Sequence, residues 1–250
     1  MHNGINVSDD GATRWITIAQ PPLNVLDLPT IDALHAALAD AAARRSVKCL
    51  VIRSGVPGVF SAGVDVAAHA PDRAPAMLEA FHRVCRLIQT LPQASVAAVD
   101  GPCLGGGCEL AACCDVVLAT ARSRFGQPEI DVGCFPPVAA VLLPRLAGRL
   151  AYEMVLTGEP IPAAEAARMG LVNRVVPDAD AAAREWARKI EEKSGAVLAL
   201  ARRALRDAQA GTFDEALAAR ERLYREELLA TPDAAEGVRA FLEKRKPVWE

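Results

Sequence analysis

Aromatic residues are scarce in this chain. Three tryptophans, two tyrosines and six phenylalanines make up 4% of its 250 residues. A core so short of large rings must be filled by small aliphatic side chains, which favours helices packed closely on alanine. No apolar run reaches the roughly 18 residues that a membrane span requires. No block of one charge stands out either, and the net charge is -3. The sequence therefore offers no polyanion-binding surface. Arg44-Arg45 and Arg202-Arg203 are too sparse for a basic helix that would hold nucleic acid. The seven cysteines are Cys49, Cys85, Cys103, Cys108, Cys113, Cys114 and Cys134, and none shows the paired spacing of a zinc ribbon. Five of them sit in apolar or glycine-rich runs, so they read as buried small hydrophobes in a reducing compartment. The first ten residues hold no basic region followed by a long apolar run. The expectation is a soluble, cytoplasmic protein with no metal and with no nucleic-acid or membrane partner.

What is present is organised around Asp100-Gly-Pro-Cys-Leu-Gly-Gly-Gly-Cys-Glu109. The apolar run Ser95 to Val99 leads into it as a buried strand, and Cys108 to Cys114 follows as a helix. Strand, glycine turn and helix together aim backbone N–H groups at a negative charge. The first N–H groups of a helix lack internal partners, and its dipole favours an anion there. A tight turn with a solvated Glu109 would account for this stretch equally well. On either side the pattern alternates. Arg14 to Ala19, Cys49 to Ile52 and Asp115 to Ala119 read as strands, and Thr30 to Arg45 and Met77 to Leu91 as helices. Such alternation predicts an α/β chain with a mainly parallel sheet and crossover helices. Beyond it come short helices over 139–146, 152–156 and 163–169, then a strand over 171–176. From Asp178 onward nearly everything is helical. Thr212 with Glu215 forms a capping box, and Thr231-Pro232 pairs a cap with a first-turn proline. Leu217, Leu223, Leu228, Leu229, Val238, Phe241 and Leu242 leave apolar faces that could pack within the chain or against a neighbour.

Two further stretches carry chemistry. In Phe60-Ser-Ala-Gly-Val-Asp65 a small-residue turn can present the N–H of Val64. In Phe125-Gly-Gln-Pro-Glu-Ile-Asp-Val-Gly133 a proline fixes the chain before Glu129, and apolar neighbours would raise the pKa of that carboxyl. Alone, the first reads by default as a surface loop and the second as a segment with a solvated glutamate.

Together the three stretches resemble the crotonase family of enoyl-CoA hydratases and isomerases. The resemblance begins at Pro21-Pro-Leu-Asn24 and runs through Val155-Leu-Thr-Gly158, Ala164-Glu-Ala-Ala167 and Gly170-Leu-Val172. It ends at Glu243-Lys-Arg-Lys-Pro-Val-Trp249, so it covers most of the chain. It implies a crotonase-like fold of repeated ββα units, with residues 1–195 as a core carrying the acyl-CoA site. Residues 196–250 would be a helical region for packing and trimerisation, in a homotrimer or dimer of trimers. It also implies an acyl-CoA thioester as substrate and no cofactor beyond the CoA that the substrate carries. The N–H groups of Val64 and Gly106 would polarise the thioester carbonyl, and Glu109 and Glu129 would hold one water between them. Which glutamate is the base stays open. Ala62, Gly63, Asp65, Val66 and Gly105 would line the substrate site, with Asp65 fixing its loop. Retaining both glutamates favours hydration. The alternatives are an isomerase or another crotonase-type reaction, and a non-catalytic or nucleic-acid-binding member.

His69 and His82 are the remaining candidate bases, one in a variable loop and one on a helix. Cys108, beside Glu109, has no matched histidine to activate it and reads as buried. One departure from the family pattern is Pro137, Val138, Ala139 and Ala140, which stand where glycine and small flexible residues are common, in a run that reads Phe135, Pro136, Pro137 and Val138 at its start. Proline fixes φ, so these residues predict a rigid apolar acyl wall. The segments around 60–66 and 125–140 look most like the branch that hydrates cyclic dienoyl-CoA thioesters.

Overall fold

The computed structural model describes residues 4–207 and 212–250. The chain opens with β1 (Ile5–Asp10) and β2 (Thr13–Ile18), joined by a tight turn and paired antiparallel. Then a unit of long strand, short strand and helix repeats, beginning at β2 itself. The first unit adds β3 (Val25–Leu26) and α1 (Leu28–Ala42) to β2. The second is β4 (Cys49–Ser54), β5 (Gly63–Val64) and α2 (Ala74–Thr90). The third is β6 (Ala94–Val99), β7 (Pro102–Leu104) and α3 (Gly106–Cys113). The fourth is β8 (Val116–Thr120), β9 (Arg124–Gly126) and α4 (Pro137–Ala147). These are the ββα repeats that the family resemblance implies. After them come α5 (Leu150–Thr157), β10 (Ile161–Pro162), α6 (Ala163–Arg168) and β11 (Arg174–Val176). The chain ends in α7 (Ala179–Glu191), α8 (Gly195–Asp207), α9 (Phe213–Arg222) and α10 (Pro232–Leu242), with a π-helical turn over Leu223–Leu228.

The five long strands and the three-residue β11 form a six-stranded sheet in the order β1-β2-β4-β6-β8-β11, parallel except at β1. The short ones form two small ladders, β3-β5 and β10-β9-β7. Both faces of the large sheet are covered, and strand alternation decides which residue serves which face. Leu50, Ile52, Ala97 and Val99 face a core shared with α1, α2 and α3. Cys49, Val51, Val96 and Ala98 face α7, whose Ala179, Ala183 and Ala187 lie flat against them and Trp15. Three alanines at helical spacing let α7 approach closely, which is the small-residue packing expected of a chain so poor in rings.

Caps fix the helix starts. Asp27 accepts from Thr30 N at 2.9 Å, Asp178 from Ala181 N at 3.0 Å and Thr231 from Ala234 N at 3.2 Å. The capping box at Thr212 and Glu215 is present. Arg202 of α8 is buried. It donates to Asp115 at 2.6 Å and to the carbonyls of Ile88 and Leu91, where α2 ends. The buried guanidinium thus pins α8 to the end of a helix that walls the site. Five of the seven cysteines are buried, and all seven are free thiols. Among the described residues no helix is long and apolar enough to cross a membrane.

Candidate active site

The site forms where β5 meets the start of α3. Ser61 bridges to Cys103 on β7. The Ser61 hydroxyl accepts from Gly63 N at 3.1 Å and donates to the Asn24 carbonyl at 2.7 Å. Asn24, wholly buried, donates in turn to the Ser54 hydroxyl at 2.7 Å and the Phe60 carbonyl at 3.0 Å. Buried hydrogen bonds of this kind hold the Phe60–Val64 segment in a single conformation.

The glycines are required by what lies against them. Gly105, the residue before α3, has φ 51° and ψ -128°, which favours a residue without Cβ. A Cβ there would stand 2.7 Å from Glu129 Oε1. A Cβ on Gly106 would stand 2.7 Å from Val64 Cγ2 and 3.4 Å from the Val64 nitrogen. The backbones of Val64 and Gly106 are therefore neighbours. Gly106 opens α3, so its N–H has no acceptor within the helix.

These residues face a cavity of about 280 Å³. From the first predicted segment, Ala62, Gly63, Val64 and Val66 line it; from the glycine turn, Gly105, Gly106 and Glu109. Glu129, Phe135, Pro136 and Pro137 close it from the third segment. Two predicted wall residues lie elsewhere. Asp65 is off the cavity and caps the short helical turn Val66–His69, accepting from Ala67 N at 3.0 Å. Val138 is turned into the main core, because α4 already begins at Pro137. Its proline serves as a first-turn residue of a helix as well as a wall.

Both glutamates are held where water is scarce. Glu109 is 4% exposed. Burial pushes its pKa up to about 7, opposed by the N–H groups of Ala139 and Val138 and assisted by the charge of Glu129. The Ala139 bond, at 2.8 Å to Oε1, comes from the first turn of α4, so a helix N-terminus steadies the carboxylate. Glu129 follows Pro128 in a short helical turn. Burial raises its pKa too, with its own backbone N–H and His69 opposing. Its Oε2 is shut off from solvent with no partner among the described residues. Two carboxyls with raised pKa values facing one cavity, beside the first N–H of α3, can move a proton on and off a bound molecule.

Sequence reasoning missed part of the wall. Met77, Leu78, Phe81 and His82 of α2 line the cavity, as do His69 and Asp131. The apolar stripe of α2 was legible, but not that residues 77–82 wall a cavity as well as packing in the core. His69 and His82, the remaining candidate bases in the sequence, both line the cavity. Cys108 is fully buried, as expected.

A sequence profile of the enoyl-CoA hydratase/isomerase family matches residues 10–250. A cyclohexa-1,5-dienecarbonyl-CoA hydratase of Thauera aromatica is 37% identical over 243 residues, which cover 96% of this chain and 94% of that one. A probable enoyl-CoA hydratase of Mycobacterium bovis is 35% identical over 249 residues, covering 97% and 96%. The crystal structure of an enoyl-CoA hydratase from Bacillus anthracis superposes with a TM-score of 0.93 at 28% identity, covering 98% of both chains.

Proposed function

The chain belongs to the enoyl-CoA hydratase/isomerase family, the crotonases, and from that premise we propose that it adds water to an α,β-unsaturated acyl-CoA thioester, a cyclic dienoyl thioester above all. The observation that carries this reading is the pair of raised-pKa carboxyls, Glu109 and Glu129, facing one cavity beside the first N–H of α3. The thioester oxygen sits against the N–H groups of Val64 and Gly106. Charge that develops on it as water attacks is stabilised there, each donor contributing about 3 kcal/mol by analogy with other oxyanion holes. The two carboxyls hold the water; one takes its proton and the other delivers a proton to the neighbouring carbon. A group that titrates near 7 can serve in either direction at neutral pH, so the site also runs the reverse dehydration. The chemistry draws on carboxyls and backbone alone, and CoA enters as part of the substrate.

A ring substrate is supported by the Phe135-Pro136-Pro137 wall, whose stiffness suits a flat alicyclic group that has little entropy to lose. The name of the 37% identical relative points the same way. In this reading residues 1–195 are the catalytic body, and residues 196–250 pack against it and assemble a homotrimer or dimer of trimers in the cytoplasm. The test is kcat/KM for cyclohexa-1,5-diene-1-carbonyl-CoA against crotonyl-CoA, followed by loss of the conjugated-thioester absorbance. Preference for the ring thioester is expected. Preference for crotonyl-CoA would leave the hydratase and remove the ring; double-bond migration without water uptake would make the enzyme an isomerase.

A further inference from the structure

The cavity that holds the two glutamates is short of positive charge. Glu109, Glu129 and Asp131 all line it, and among the described residues no lysine or arginine does so. Two of its members can become cations, His69 and His82. Burial, with the nearby Arg86 charge, pushes the His82 pKa below the ordinary histidine value, so that ring is neutral at neutral pH. His69 is half-buried at the end of the helical turn Val66–His69, and its Nδ1 lies 3.1 Å from the Asp65 carbonyl oxygen. A carbonyl only accepts, so Nδ1 carries a hydrogen and Nε2 is the nitrogen that takes up a second proton. The elements packed around the two groups bring no other cation into the cavity. Arg73 and Glu79, before and on α2, are exposed and lie off it. So are Arg145 at the far end of α4 and Glu153 of α5, while α3 contributes Glu109 alone. Burial is the main influence on the Glu129 carboxyl, and the His69 charge is among the groups that oppose it.

We propose that His69 is a positioning residue that acts through Glu129: held on the Asp65 carbonyl, its imidazole is, once protonated, the counter-charge to that carboxylate, and it sets the pH range over which the glutamate pair works. The inference rests on the reading of Glu129 as one of the two working carboxyls. It goes beyond that reading by naming the group that controls the charge of one of them. Glu109 has no cation of its own; the Ala139 and Val138 N–H groups alone oppose its burial. A counter-charge on one carboxyl and none on the other keeps the two from titrating as equals, which is what a pair needs if one member is to accept a proton while the other gives one.

The test follows the titration of Glu129 directly, by infrared difference spectra of the protonated-carboxyl stretch, assigned by its loss in Glu129→Gln. The pH profile of kcat/KM for a 2-enoyl-CoA thioester is measured beside it. His69→Asn keeps an N–H at the Nδ1 position for the Asp65 carbonyl and loses the charge. It is expected to move the Glu129 titration to higher pH, and the matching limb of the kcat/KM profile with it. His69→Lys keeps a positive charge and should hold both at or below the parent position. A merely structural role would lower turnover without moving either. An unmoved Glu129 titration in a folded His69→Asn protein would therefore overturn the inference and leave the hydratase reading standing. A parent protein that hydrates no unsaturated thioester would remove the hydratase reading, while the infrared titration, which needs no substrate, would still decide the link between His69 and Glu129.

Discussion

Glu109 is the residue on which burial and charge act most directly. Its carboxyl ionises near 4.5 in a solvated chain and at about 7 in the folded one. Between those values the folded state holds a proton that the unfolded state has released. Stability therefore falls as pH rises through that window, by on the order of 3 kcal/mol once complete. Glu109→Gln removes the charge and keeps the shape. It is expected to raise the thermal midpoint at pH 8 relative to the parent and to leave it nearly unchanged at pH 4. The same variant, and Glu129→Gln, should each cut turnover by at least ~10² while CoA-thioester binding survives. Calorimetry at the two pH values and steady-state kinetics check the two halves separately. A more stable, fully active Glu109→Gln would leave the burial argument intact and take this residue out of the catalytic pair.

At the level of elements, what the sequence revealed depended on whether a segment carries its own signal. β4, β6, α1 and α3 were legible because apolar runs, helical stripes and the glycine turn are written locally. β1 was not seen, since Asn6-Val-Ser-Asp-Asp10 is exposed and shows no alternation of the half-buried kind. The two- and three-residue strands β3, β5, β7, β9 and β10 carry no periodicity at all; pairing across long stretches of chain makes them. The strand expected over 171–176 shortens to Arg174–Val176, because Leu171 and Val172 go into the core instead. The helix expected over 139–146 begins two residues earlier at Pro137, a proline read as wall alone. In the site, the three motif segments were placed correctly as neighbours by resemblance, while the contribution of α2 needed the packing of α2 on α3. The start of α3 offers its own test. Proline is tolerated at the first position of a helix, so Gly106→Pro should fold while losing the N–H. Gly106→Ala keeps the N–H and adds a Cβ that would crowd Val64 and Phe81. Gly106→Pro is expected to lose turnover by about 10²–10³, well beyond Gly106→Ala. Equal losses would assign the effect to crowding and remove the N–H from the mechanism.

For the whole molecule, α10 is built inside out. It buries two carboxylates, Asp233 and Glu236, and exposes Val238 at 64%, Phe241 at 82% and Leu242 at 74%. The buried charges are matched. Glu236 accepts from Arg239, from both Arg245 guanidinium nitrogens and from Val248 N, and Arg245 first of all holds its pKa well below the ordinary carboxylate range. Asp233 takes the Ser194 hydroxyl and the Glu250 N–H, and Trp249 Nε1 reaches the Glu192 carbonyl at 2.8 Å. The closing segment is thus tied to α7 and α10 through polar groups, and the apolar face of α10 turns away from its own chain. Leu205, Phe213 and Leu229 on the neighbouring helices are exposed as well. A lone subunit would leave this surface in water at a cost of roughly 25 cal/mol for each Å² of apolar area, and exposed patches of that kind mark association sites. Self-association through the C-terminal helices is therefore expected. Sedimentation at micromolar concentration should show a trimer or hexamer, and Phe241→Asp should shift the population toward monomer without unfolding α10, since the buried Asp233 and Glu236 anchors are untouched. A parent protein that sediments as a stable monomer would overturn this account of the exposed face.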